Sequence, residues 1–75
     1  MTKVLQDKSE HIKVEGYRGT WYVIDSTIFQ GEKYFLLEHE TYGDETEALV
    51  VNIYGGVITE TWDDIDTALT DEFGF

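Results

Sequence analysis

The chain has 75 residues, 41% apolar and 15% aromatic, a formal net charge of −11, and neither cysteine nor proline. That length holds one domain with one small core, and the lack of cysteine excludes disulfides, thiolate nucleophiles and cysteine-based zinc sites. The charge is one-sided: residues 1–33 carry five bases against five acids and balance to zero, whereas residues 34–75 carry eleven acids and no base.

Several classes of partner fall away on these grounds. Phosphate binding needs clustered Lys and Arg, so direct contact with nucleic acid or with an anionic membrane surface is not expected. No apolar run approaches the roughly 20 residues that span a bilayer, and MTKVLQDKSEH lacks the apolar stretch of a signal peptide. The expected setting is cytoplasmic. A chain of this size buries roughly 60% of its extended surface on folding, so its stability is small, and dimerisation is one remedy.

Residues 1–10 are polar and mixed in charge and are expected to be poorly ordered, leaving 11–75 as a single small domain. Ile12 and Val14 alternate with Lys13 and Glu15 as a short first strand, and Gly16 and Gly19 frame a turn. Thr20 to Phe29, reading TWYVIDSTIF, is rich in the β-branched and aromatic residues that favour strands. Gln30-Gly31-Glu32 reads as a hairpin turn, with a return strand from Lys33 to about Glu40.

A loop from Thr41 to Thr46 leads to a strand from Glu47 to Tyr54. Gly55 and Gly56 then predict a two-residue hairpin into a last strand from Val57 to Trp62. That turn sets a register in which Tyr54 opposes Val57, Ile53 opposes Ile58 and Leu49 opposes Trp62. Leu49, Val51, Ile53, Ile58 and Trp62 then form a core face, marred by Glu60 opposite Val51. The other face, with Ala48, Val50, Tyr54 and Val57, is also apolar, so the sheet curls into a barrel or is covered twice.

After Trp62 the period changes from 2 to 3.6. Ile65, Ala68, Leu69 and Phe73 make one helical stripe, Asp63, Asp64 and Asp66 suit its first turn, and Gly74 stops it. Thr61 and Asp64 have capping-box spacing. The fold class is α+β, mainly β: an antiparallel meander of about five strands, an SH3-like small barrel or twisted sheet, with a short C-terminal helix.

The segment from Glu38 to Glu47 concentrates Glu38, Glu40, Asp44, Glu45 and Glu47 around His39. Its spacing matches no ligand loop, so a solvated polar loop is the preferred meaning and no metal or cofactor is assigned. Asp25 and Glu38 oppose each other if Gly31-Glu32 forms the turn, an arrangement open to acid–base work but better read as a charged edge. No nucleophile elbow or phosphate-cradling glycine run occurs, so no catalytic residue is assigned and the protein is not expected to be an enzyme.

Large rings point to both sheet faces, because Trp21 and Tyr22 alternate, as do Tyr34 and Phe35. Either some stay exposed as a docking patch ringed by acids, or the helix, the N-terminus or a second copy covers them. The docking set so assigned is Trp21, Tyr34, Glu38, Glu40, Asp44, Glu45, Glu47, Asp63 and Asp64.

The stretch from Lys33 to Trp62, reading KYFLLEHETYGDETEALVV and then GGVITETW, resembles small uncharacterised acidic β-rich proteins carried by mobile elements of low-GC bacteria. The likeness covers about the last two-thirds of the chain. It implies an accessory or host-interaction role in a bacterium or phage and transfers no catalytic residue.

Three functional readings follow, in descending order of support. The first is a non-enzymatic acidic module docking a basic or mixed-charge protein surface. The second is a nucleic-acid mimic that inhibits a DNA-binding protein or nuclease. The third is a small metal-binding domain using His39 and the loop acids. With eleven acids crowded into 42 residues, moderate salt should raise the melting temperature by screening them, which melts at two ionic strengths will read directly.

Overall fold

The two central strands are apolar on both sides, and that decides how the rest of the chain is laid out. The computed structural model describes residues 11–43 and 45–74. It contains β1 (Trp21–Phe29), β2 (Glu32–His39), β3 (Ala48–Asn52), β4 (Val57–Thr61) and α1 (Ile65–Phe73). The strands form an open antiparallel sheet in the order β1-β2-β3-β4. The expected looseness of residues 1–10 lies outside the described residues.

Four strands replace the expected five, and the sheet is open rather than a closed barrel. The Ile12 segment makes only a single antiparallel bridge to Trp21. Its N–H donates to the Trp21 carbonyl at 2.7 Å, and the Trp21 N–H donates back at 2.8 Å. The segment is nonetheless essential as a cover. Val14 is buried against Trp21, Phe35, Leu37, Leu49 and Val51, with Ile12 and Tyr17 packed beside them.

On the opposite face, α1 contributes Ile65, Ala68 and Leu69 to a second cluster with Tyr34, Leu36 and Val50. Phe35, Leu37, Leu49, Val50 and Val51 are completely buried. At about 25 cal/mol per Å² of apolar area removed from water, these central side chains are the main source of stability.

The first hairpin turns one residue earlier than expected. Gln30 and Gly31 have φ of 52° and 82°, and Phe29 pairs with Glu32. Two successive positive φ values suit the right-handed strand twist, which is why a glycine belongs here. The earlier turn moves Asp25 opposite Leu36, and a bulge at Ile24 sets Glu38 opposite Tyr22. The Asp25–Glu38 pair therefore does not form.

The second hairpin departs further. Asn52 organises a longer loop, its side-chain oxygen accepting the N–H groups of Tyr54 and Gly56, each at 2.9 Å. Only Gly55 of the two glycines has positive φ, at 83°, so the two-residue turn is not made. β4 slides by two residues: Ala48 pairs with Thr61, Leu49 with Glu60 and Val50 with Thr59. A further irregularity between Val50 and Val51 brings Val57 opposite Val51. Val57 thus joins the first cluster and Ile58 the second. Trp62 overhangs the end of β3 and is 67% exposed, not part of the core.

Helix α1 starts at Asp64, not at Thr61, as N-cap, its carboxylate accepting the Thr67 N–H at 2.7 Å. Thr61 instead accepts the Asp63 N–H at 2.9 Å, tying the strand end to the helix start. Gly74 ends the helix in the left-handed region and returns its N–H to the Thr70 carbonyl. Hydrogen bonding from the Thr67 side chain, and then from its backbone, holds the Asp64 carboxyl below its ordinary value of 3.8. A group lowered in the folded state stabilises above its unfolded pKa and loses that effect as pH falls through the folded one. Asp64→Asn should therefore melt like the parent at neutral pH, because Asn caps as well as Asp, yet lose less stability on acidification below about pH 4. Thermal melts across that range check it.

Candidate docking surface at the acidic end of the sheet

An antiparallel meander returns alternate connections to the same end. The end of β2, the start of β3, the end of β4 and the start of α1 share one end here, as the pairs Leu37–Leu49 and Ala48–Thr61 require. Of the docking set read from sequence, Glu38, Glu40, Glu45, Glu47, Asp63 and Asp64 thus come to a common end of the molecule. Asp44 lies outside the described residues.

Trp21 and Tyr34 do not belong to this surface; they are core residues, at 4% and 7% exposure. The Trp21 ring meets Tyr17 edge-on at 6.2 Å and His39 edge-on at 4.9 Å. Its indole N–H donates to the Arg18 carbonyl at 3.2 Å, so the polar handle is satisfied without solvent. Tyr34 packs under α1 near Phe73 at 6.0 Å, and its hydroxyl makes a long 3.4 Å bond to Glu32. Burial pushes the phenol above its ordinary value of 10.0, with the Glu32 carboxylate adding to the effect.

His39 builds the loop that carries the acids. Its Nδ1 accepts the N–H groups of Thr41 at 3.0 Å and Tyr42 at 3.1 Å, and its ring lies 5.2 Å from that of Tyr42. Glu38 accepts the Tyr22 hydroxyl at 3.1 Å, and Glu40 stands 3.3 Å from His11 Nδ1 with both side chains about half exposed. Glu38 is thus tied to β1, and Glu40 lies within reach of His11. Among the described residues no three His, Asp or Glu side chains gather as metal ligands, and no buried side-chain polar atom lacks a partner.

A second concentration of acidic residues lies between β4 and α1. An open groove of about 460 Å³ is lined by Glu47, Glu60, Asp63, Asp71 and Glu72 together with Thr59, Thr61, Trp62 and Ala68. Glu60, Trp62, Asp71 and Glu72 were outside the set chosen from sequence, because the expected register put Trp62 in the core. The available signal was the acid run directly after it, Asp63-Asp64, which marks a strand-to-helix connection rather than strand interior.

A family model described as large polyvalent protein-associated domain 18 matches residues 2–72. The chain belongs to this family. No curated protein and no solved structure matches it. In this polyvalent protein-associated domain the match extends over the cover segment, the sheet and nearly all of α1, so it takes in both layers of the core and the acidic end.

Gly19 is a point of close approach in the site. It has φ of 82°, and an added Cβ meets the His39 ring. Gly19→Ala should destabilise the domain by about 1–3 kcal/mol, through backbone strain plus displacement of the ring that holds the acidic loop. Gly16→Ala, at a similar φ but with open space around it, should cost less. Urea unfolding of the two variants makes the comparison.

Proposed function

We propose that this domain is a non-enzymatic acidic docking module that binds a basic or mixed-charge surface on a protein partner. The observation that carries the reading is Trp62, 67% exposed and lining a groove together with five acidic residues. A large ring left in water beside like charges has no role in the core. It has the character of an interface anchor, since Trp is enriched among the few residues that dominate binding energy.

The chemistry elsewhere supports this. The sheet faces are sealed by Val14 on one side and Leu69 on the other, so a partner meets the ends and edges. The family description, association with large polyvalent proteins, accords with an accessory module, as does the resemblance to mobile-element proteins. The exposed ring favours docking over mimicry of a phosphate array, for which charge alone suffices.

The test is titration against a folded basic protein, with Trp62→Ala and the triple variant Glu60→Gln, Asp71→Asn, Glu72→Gln. Binding should weaken steeply with salt. Truncating the ring should lower affinity about tenfold or more, and the triple variant should lose most of the salt dependence. Full binding by Trp62→Ala alongside loss in the triple variant would move the assignment to charge mimicry.

A further inference from the structure

We propose that the outer edge of β4, with the acidic groove beside it, takes an extended basic segment of the partner as an added strand. The inference rests on the docking reading above and specifies how the partner is held.

An open sheet has two edges, and here they differ. The β1 edge is obstructed from Trp21 to Ser26. The Trp21 N–H and carbonyl are taken by Ile12, the chain bulges at Ile24, and the Ser26 N–H is capped at 2.8 Å by the Asp25 carboxylate. These are the devices by which proteins keep an edge from pairing. β4 is the other end of the strand order, and its residues Thr59, Glu60 and Thr61 line the groove.

Exposed rings bracket this edge: Tyr54, 61% exposed, precedes β4, and Trp62 follows it. The irregularity at Ile58 leaves Thr59–Thr61 as the regular part. Side chains of an added strand alternate in direction, so every second one is presented to the α1 side of the sheet, where Asp71 and Glu72 line the groove.

Charge selects the occupant. A second copy pairing edge to edge brings the same acids together, and like charges opposed across strands are destabilising. An acidic segment meets the same repulsion. A segment with Lys or Arg at alternate positions pairs its cations with the groove while its backbone completes the β4 ladder, with Trp62 offering a face for a cation.

The experiment uses a heptapeptide alternating Lys and Thr, two counterparts N-methylated at alternate residues in either phase, and a folded basic protein, each titrated into the domain with backbone amide NMR. The unmethylated peptide should shift the Thr59, Glu60 and Thr61 amides and bind about tenfold more tightly than at least one methylated form, the loss expected from two or so backbone hydrogen bonds. Equal binding by all three peptides overturns strand addition and leaves charge docking standing. Shifts confined to β1 overturn the choice of edge. If the basic protein binds and no peptide does, strand addition fails alone; if nothing binds, the docking reading fails with it.

Discussion

The arrangement of this domain depends on β2 and β3 being apolar on both faces. Phe35, Leu37, Leu49 and Val51 look one way, and Tyr34, Leu36 and Val50 look the other. A chain of this size cannot leave either face in water, because its net stability is a small difference between large terms. It therefore spends one segment, 11–19, on the first face and one nine-residue helix on the second. Trp21 ties the first cover down through its backbone bridge to Ile12 and its indole bond to Arg18.

This constraint also governs where function is placed. With the sheet faces sealed, the surfaces left for a partner are the ends and edges, and the meander gathers four chain segments at one end. Local hydrogen bonds then set the acids in position: Tyr22 holds Glu38, and His39 folds the following loop around its Nδ1. The unequal treatment of the two edges follows the same logic. β1 is long and bears the exposed Ile24 and Ile28, so it is the more adhesive edge and is the one blocked by a bridge, a bulge and a capping carboxylate. β4 is short, and its residues Thr59, Glu60 and Thr61 line the acidic groove.

Much of the architecture was legible in the residues. The strand-rich stretch after Thr20, the glycine at the first turn, the helical stripe Ile65-Ala68-Leu69 and its stop at Gly74 each follow from local rules that tertiary packing did not override. The register of the second hairpin was not legible, because Gly55-Gly56 suggested a shorter loop than Asn52 builds by accepting two N–H groups. That slip of two residues decides the candidate site. It carries Trp62 past the end of the core, and the burial of Trp21 and Tyr34 then removes the rings that sequence had offered in its place. Alternation shows that both faces carry aromatics; it does not show what covers them.

Because the spatial order of the strands is also their order along the chain, each strand pairs with the one just made. The Ile12–Trp21 bridge is likewise between near neighbours in sequence, but α1 reaches back to the first hairpin, its Phe73 ring stacked on Phe29 at 5.7 Å. The hairpins can therefore close one after another, whereas seating Val14 against Leu49 and Val51, and α1 against Tyr34 and Leu36, joins distant parts of the polymer and costs more loop entropy. Stepwise assembly is the kinetic corollary: one hairpin can template the next, while the apolar faces of the central strands stay bare until the two covers dock.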